Sequence, residues 1–508
     1  MPKRRNRNRS GSENKDVPST SHYKTMRNCM APLEILTTEQ LEIIHQNSLR
    51  ILEEIGIEFM GQSARNLFKA AGAVVNEETG QVRIDREIVF DALREVPSSV
   101  TLTPRNSSNR MILGGNSICT TSVGGPPNVH DRINGRRRGN FDDYKSLLKL
   151  TQSFDIIHGI GNQPTPPMEL PAFTRHLDCY LANATYTDKV WLNTSIGEER
   201  AMDGINISAI SRGLSLDEMA INPSCITVIS VNSPRRFDAE MSDGLMAMSR
   251  HGQCVAVTPF TLMGAMTPTT LAGALAQQNA EALCGIVLTQ LTRPGAPVMY
   301  GSFTSNVDMK TGAPAFGTPE YARAAMASGQ LARKYGLPFR CSNATASNTV
   351  DAQATYESEM SIWSCVMAHS NLLYHAAGWM EGGLTASFEK FVLDAELLQM
   401  MAQTVRPIEV NEEQLAYDAI SQVPTGGQFF DHPHTLARYK DAFHTPMLSD
   451  WRNYEVWELD GEKTATERAT ETWQACLANY EKPAMDPSIE EELEAYVAKR
   501  KEEIKRSL

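Results

Sequence analysis

The sequence predicts a (β/α)8 barrel of the TIM type, with an N-terminal α+β segment and a C-terminal helical extension. Three observations lead there. Beyond Asn140, short apolar runs recur in regular alternation with helical segments. Each run is continuous, as suits a parallel strand buried on both faces. The turn after the first run, GIGNQPTPP, lacks the third glycine and the helix start of a dinucleotide-binding fold, the usual mark of a doubly wound open sheet, which is the alternative.

The runs fall at Phe154–Ile160, Val190–Asn193, Ile226–Asn232, Val255–Phe260, Val298–Phe303, Pro338–Asn343 and Leu372–Ala377. Helical segments lie between them, at Leu170–Ala182, Ala201–Arg212, Asp238–Ser249, Thr269–Leu291, Pro319–Tyr335 and Asp351–His369. An eighth strand is predicted near Gly426–Phe430, which would complete the barrel. Ahead of this region, Thr37 with Gln40 three residues on forms a capping box for a helix that closes at Gly56. A hairpin over Val74–Ile84, a helix over Arg86–Glu95 and strands at Val100–Thr103 and Met111–Leu113 follow. The division is therefore a disordered basic tail over 1–30, an α+β segment over 31–140, the barrel over 141–435 and an extension over 436–508. The last helix starts at Asp486 and Pro487 and runs from acids to bases, as its dipole prefers.

Composition narrows the class. No run of about 18 apolar residues exists to span a bilayer, and the net charge of -12 is spread through the chain, which argues against a nucleic-acid surface. Nine scattered cysteines with no CxxC pair fit a reducing, cytoplasmic setting. The basic opening has no apolar core and is not a secretory signal. A barrel of this kind is expected to form a homo-oligomer, although periodicity does not count subunits.

In a parallel α/β fold, ligands sit beyond the carboxyl ends of the strands. That rule gathers aromatics, amides and a few ionisable groups: Phe260, Tyr300, Phe303, Asn343, Tyr356, Tyr374, His375, Trp379 and Glu381. Aromatic faces beside a carboxylate or an amide hold a quaternary ammonium by cation–π attraction. Arg340 is an inward charge on a barrel strand, a type commonly paired with an acid. Arg136, Arg137 and Arg138 suit a phosphate or a loop paired with neighbouring acids. His432 and His434 supply two metal ligands, too few for a site, so no bound metal is expected. Cys341 and His375 could meet across neighbouring strand ends as a nucleophile and its base.

The segments DAQATYESEMS, NLLYHAAGWMEGGLTASFEKFVLDAE, VGGPPNVHDRINGRRRGNFDD and FFDHPHT resemble the trimethylamine methyltransferase family, over roughly Leu33 to Tyr480. The resemblance implies a (β/α)8 barrel and transfer of a methyl group from an amine to the Co(I) of a corrinoid (cobalamin) carried by a separate corrinoid protein. Trimethylamine-specific members carry pyrrolysine just before the DxQA segment, and here Thr345–Val350 holds only standard residues. Members without pyrrolysine are similar to enzymes that demethylate quaternary amines such as glycine betaine. On this likeness Phe260, Tyr300, Tyr356 and Trp379 would surround the ammonium, and Glu381 would offer opposite charge. His375, with Arg340 as second choice, would hold a substrate carboxylate, and Asn343 would orient it. Transfer to tetrahydrofolate without a corrinoid, and a non-catalytic betaine-binding protein, stay open as alternatives.

Overall fold

The computed structural model of the protein describes residues 24–507, so the predicted basic tail lies outside the described residues as far as residue 23. Eight parallel strands form its centre: β1 (Ser117–Ser122), β2 (Gly159–Ile160), β3 (Val190–Asn193), β4 (Ile226–Ile229), β5 (Cys254–Val257), β6 (Val298–Gly301), β7 (Phe339–Ser342) and β8 (Leu372–Ala377). Leu372 of β8 lies opposite Cys119 of β1, which closes the sheet on itself and leaves no free edge. One main helix follows each strand in turn: α1 (Phe141–Ser153), α2 (Arg175–Tyr186), α3 (Glu198–Arg212), α4 (Ala239–Arg250), α5 (Leu271–Thr292), α6 (Pro319–Lys334), α7 (Ala352–Met367) and α8 (Phe388–Thr404). The predicted barrel is therefore the observed one.

One strand differs. The strand predicted near Gly426–Phe430 is absent: that stretch is turn, with Phe430 80% exposed. The ring is completed instead by β1, from within the 31–140 segment. Its sequence, SICTTS, reads as polar, but Ser and Thr are small enough to pack inside a closed sheet, and Thr120, Thr121 and Ser122 are all fully buried.

Strand alternation sorts the side chains into two layers. Leu192, Ile226, Ala256, Met299, Leu372 and Tyr374 face the barrel interior, and the hairpin of Ser99–Leu102 and Met111–Gly114 plugs its N-terminal end with Leu102 and Met111. Val257, Val298, Tyr300, Phe339 and Cys341 face outward into the core beneath the helices. Helix α5 is apolar nearly all round and buried nearly all round, because the N-terminal helices Thr38–Arg50 and Arg86–Glu95 pack across it. The first of these begins at the predicted capping box, with both reciprocal bonds of Thr37 and Gln40 made. The final helix, Pro487–Ser507, starts where Asp486 accepts the Ser488 N–H at 2.9 Å and packs Leu493 and Val497 onto α2 and α3. Among the described residues no helix is long and apolar enough to cross a membrane.

Candidate functional site

Neighbouring strands β7 and β8 supply the charged floor of the barrel mouth. Arg340 pairs in register with Leu372, and Ser342 with Tyr374, so all four face the interior. Alternation would then send His375 outward. Instead the β8–β1 register shifts between Leu373 and Ala377, and His375 takes φ +54°, a conformation rare for a non-glycine residue. This bulge turns the imidazole inward, stacked on Tyr374 with ring centroids 3.7 Å apart. Strain of this kind costs about 1–3 kcal/mol and persists only where the surroundings enforce it.

The surroundings here do enforce it. The Asn343 N–H donates to the Tyr374 carbonyl at 3.0 Å, and its side-chain Nδ2 donates to the Ala376 carbonyl at 3.2 Å. The next peptide along is held by Asp394, whose carboxylate accepts the Gly378 N–H at 2.9 Å. Asp394 is in turn ion-paired with Lys390, one helical turn away on α8, and Lys390 also donates to Ser358 Oγ at 2.7 Å. Burial raises the Asp394 carboxyl against the pull of Lys390, Gly378 and Asn343. From the other side, Gly124 lets the chain after β1 approach, since a Cβ there would sit 2.5 Å from the Tyr374 hydroxyl.

An aromatic wall rises beside this floor. Past the barrel rim, the chain after β5 and β6 continues as two more parallel strands, Phe260–Met263 and Phe303–Val307, with Phe260 opposite Phe303. Phe303 stacks on Phe316 at 5.3 Å and 12°, and Trp379 stands edge-on to both, 6.1 Å from Phe303 and 5.2 Å from Phe316. The Trp379 ring also lies nearly parallel to His375 at 5.4 Å. Phe260, Phe303, Phe316, Trp379 and His375 therefore form one continuous surface.

Arg340 sets the electrostatics. It is 2% exposed, and its guanidinium carbon lies 4.8 Å from the Tyr374 ring centroid and 5.7 Å from that of Phe303. Its one protein hydrogen bond is long, Nη1 to the Ser302 carbonyl at 3.4 Å, and Nε has no protein partner. Among the described residues no carboxylate pairs with it. Burial lowers its pKa, but a guanidinium stays protonated. His375 responds oppositely: burial first, then the charge of Arg340, push its pKa well below the usual histidine value, with the Gly124 carbonyl pulling the other way. The imidazole is neutral, and its Nδ1 has no protein partner. Ser342 Oγ and Asn343 Oδ1 likewise have none. A fixed cation, a neutral imidazole and a hydroxyl thus lie on two neighbouring strand ends beside a wall of rings. This arrangement suits a small zwitterion, with its anionic end on the floor and its cationic end against the wall.

A family model described as Trimethylamine methyltransferase (MTTB) matches residues 2–505. The chain belongs to that family. Among curated relatives, it is 36% identical over 471 residues to the glycine betaine methyltransferase of Desulfitobacterium hafniense, covering 92% of this chain and 98% of the relative. It is 29% identical to trimethylamine methyltransferase MttB of Desulfitobacterium hafniense (92% and 93%) and 29% identical to MttB1 of Methanosarcina mazei (92% and 95%). A solved structure described as the hydroxylamine MtmB complex aligns with a TM-score of 0.50 over 87% of this chain and 92% of that one. At 10% identity that likeness concerns the fold alone.

Within this MTTB-family barrel, Phe260, Arg340, His375 and Trp379 lie around one mouth, linked through Phe303, Asn343 stands at the end of β7 with its side chain on the Ala376 carbonyl, and the other three predicted site residues do not join them. Tyr300 is at an outward position of β6: its hydroxyl donates to Asn279 Oδ1 and accepts from Gln278 Nε2 on α5, both at 2.9 Å. Strand parity, with Met299 and Gly301 inward, sends it there. Tyr356 lies on the outer face of α7 and is 61% exposed. Glu381 sits on the rim, but both its oxygens are 2.9 Å from Arg136 Nε, so its charge is already matched. Arg137 bonds Asp131 and Asp143, each at 2.6 Å, so two of the three clustered arginines pair with neighbouring acids.

Cys341 faces outward against Tyr321 and does not meet His375. His432 Nδ1 accepts the His434 N–H at 3.1 Å in capping a short helix, and no group of three metal-binding side chains gathers among the described residues. Sequence reasoning missed Phe316, which sits in a loop without periodicity. It also missed Lys390 and Asp394, whose i,i+4 spacing was the available signal.

Proposed function

We propose that the protein is a methyltransferase that demethylates a quaternary amine bearing a carboxylate, glycine betaine being the simplest, and passes the methyl group to the Co(I) of a corrinoid protein. The observation that carries this reading is Arg340, a buried cation with no acid of its own beside an aromatic wall. A trimethylamine substrate would give that cation nothing to bind, whereas a betaine carboxylate would satisfy it. The likeness to a glycine betaine methyltransferase, at higher identity than to the trimethylamine enzymes, supports the same choice.

The chemistry needs little from the protein beyond placement. A low-valent cobalt centre on the partner supplies the nucleophile. As a bond to the methyl carbon forms, the C–N bond breaks and its electron pair stays on nitrogen, leaving a neutral tertiary amine, so no general acid is required. Arg340 would grip the carboxylate, with the Ser342 hydroxyl free to donate a second hydrogen bond, while neutral His375 and Asn343, whose N–H groups are held by the Gly124 and Ala376 carbonyls, would shape the floor that fixes one orientation. Phe260, Phe303, Phe316 and Trp379 would hold the ammonium and exclude water, so that one methyl group points out of the mouth in line for attack.

Incubation with glycine betaine and Co(I) cobalamin tests this directly. Dimethylglycine and methylated cobalamin should appear together in equal amounts. Turnover with tetrahydrofolate and no cobalamin would replace the acceptor, and binding without product from any quaternary amine would remove the enzyme reading.

A further inference from the structure

The chain leaves the barrel after α8, touches it again where the Met447 N–H donates to Glu396 of α8 at 2.9 Å and Leu448 is buried, and packs on α8 for good at the helix Ala465–Ala478. Between them, the stretch 408–459 is built of short helices and turns and carries fourteen of the thirty-two large apolar side chains that are exposed among the described residues. That is nearly half of them on about a tenth of the chain. Ile408, Phe430, Phe443 and Leu459 are each at least 80% exposed, and Trp451 is 72% exposed. Seven of the fourteen are aromatic, a type that buries about 150–250 Å² per side chain, so the rings of the arm alone present on the order of 1,000 Å² of apolar surface. The largest apolar patch on a typical monomer is about 300–600 Å², and a stable interface needs roughly 800 Å² from each partner. The arm exceeds both.

A receiving surface lies on the flank of the same barrel. Tyr356, Met360, Trp363 and Met367 follow one another at helical spacing on the outer face of α7, and Tyr356, Met360 and Met367 are exposed. Met400 is exposed on neighbouring α8. A cleft of about 150 Å³, lined among others by Leu393, Leu397, Met400 and Leu448, opens beside it. Leu448 shows how an arm residue seats there, since it is buried against α8 of its own chain. The rest of the arm leaves the α7 stripe uncovered.

We infer that segment 408–459 packs across the α7–α8 flank of a second copy of this chain. An area this large and this rich in aromatics matches a permanent assembly between like chains. A methyl acceptor must instead visit the barrel mouth and leave again. Tyr356, drawn to the substrate pocket by its sequence position, belongs on this reading to the interface between copies. The inference stands independently of the catalytic reading.

Light scattering on the full chain at micromolar concentration should give at least twice the mass of one chain. The arm variant Phe443→Asp with Leu459→Asp, and the flank variant Met360→Asp with Met367→Asp, should each fall to the mass of one chain while keeping the far-ultraviolet circular dichroism of the parent. Amides in 408–459 of the unsubstituted chain should exchange more slowly as concentration rises. A parent chain of single mass, an assembly that survives either pair of substitutions, or exchange independent of concentration would overturn the inference. A single-mass chain that bound only a corrinoid protein through the arm would give the surface to that partner instead.

Discussion

Two buried cations stand close together in chain order, Arg340 on β7 and Lys390 on α8, and their surroundings could hardly differ more. Lys390 has an aspartate and a hydroxyl within reach, and its aspartate is further bonded to a backbone N–H. Arg340 has one long bond to a carbonyl and two ring faces. The fold matches one internal charge fully and leaves the other without an acid among the described residues, and on the function proposed above the first pair holds structure while the second receives the substrate carboxylate.

That contrast can be broken by substitution. Lys390→Met strands Asp394 and should cost about 3–5 kcal/mol of stability, since removing one partner of a buried pair leaves the other uncompensated. The denaturation midpoint should fall sharply and recover in part in a Lys390→Met, Asp394→Leu double variant. Arg340→Gln should leave stability unchanged or raise it, while weakening glycine betaine binding by roughly 2–5 kcal/mol in calorimetry. Tetramethylammonium, which has no carboxylate, should bind the two forms alike. Equal losses for both ligands would show that Arg340 shapes the pocket without gripping an anion.

Smaller effects sharpen the comparison. Trp379→Leu should weaken both ligands by about 0.5–2 kcal/mol, the worth of one ring face against a cation. His375 titrates in the folded chain well below its ordinary value of 6.5. The stability tied to its neutral form is therefore complete above pH 6.5 and is lost as pH falls toward its folded-state pKa, because the unfolded chain takes up the proton first. His375→Gln should flatten that part of a melting-temperature profile, and betaine affinity should be level between pH 7 and 8, where the imidazole carries no charge. Tyr356→Ala should leave betaine affinity within about 0.5 kcal/mol of the parent, as expected of a surface position.

Seven of the eight barrel strands were legible because a strand covered on both faces must be apolar throughout. β1 was not, because Thr and Ser pack as well inside a tight ring as they solvate a loop. The aromatic pair in GGQFF drew a strand where the chain is exposed, as rings are equally suited to sheets and to interfaces. At the site, Arg340, Asn343, His375 and Trp379 could be found because they end two adjacent strands. Tyr300 shows what position alone leaves out: one residue of parity decides whether a side chain meets ligand or helix. For His375, parity gives the wrong answer, since only the bulge turns it inward. Phe316 approaches through a loop, and no spacing rule reaches it.

Phe260 and Phe303 stand on a small sheet above the rim that shares no rung with the closed ring beneath it. The two can therefore drift separately over evolutionary time. On the proposed function, bulkier or smaller alkyl groups on nitrogen would be accommodated by re-tilting that upper layer, while the proposed carboxylate site, rooted in β7 and β8, stays where it is.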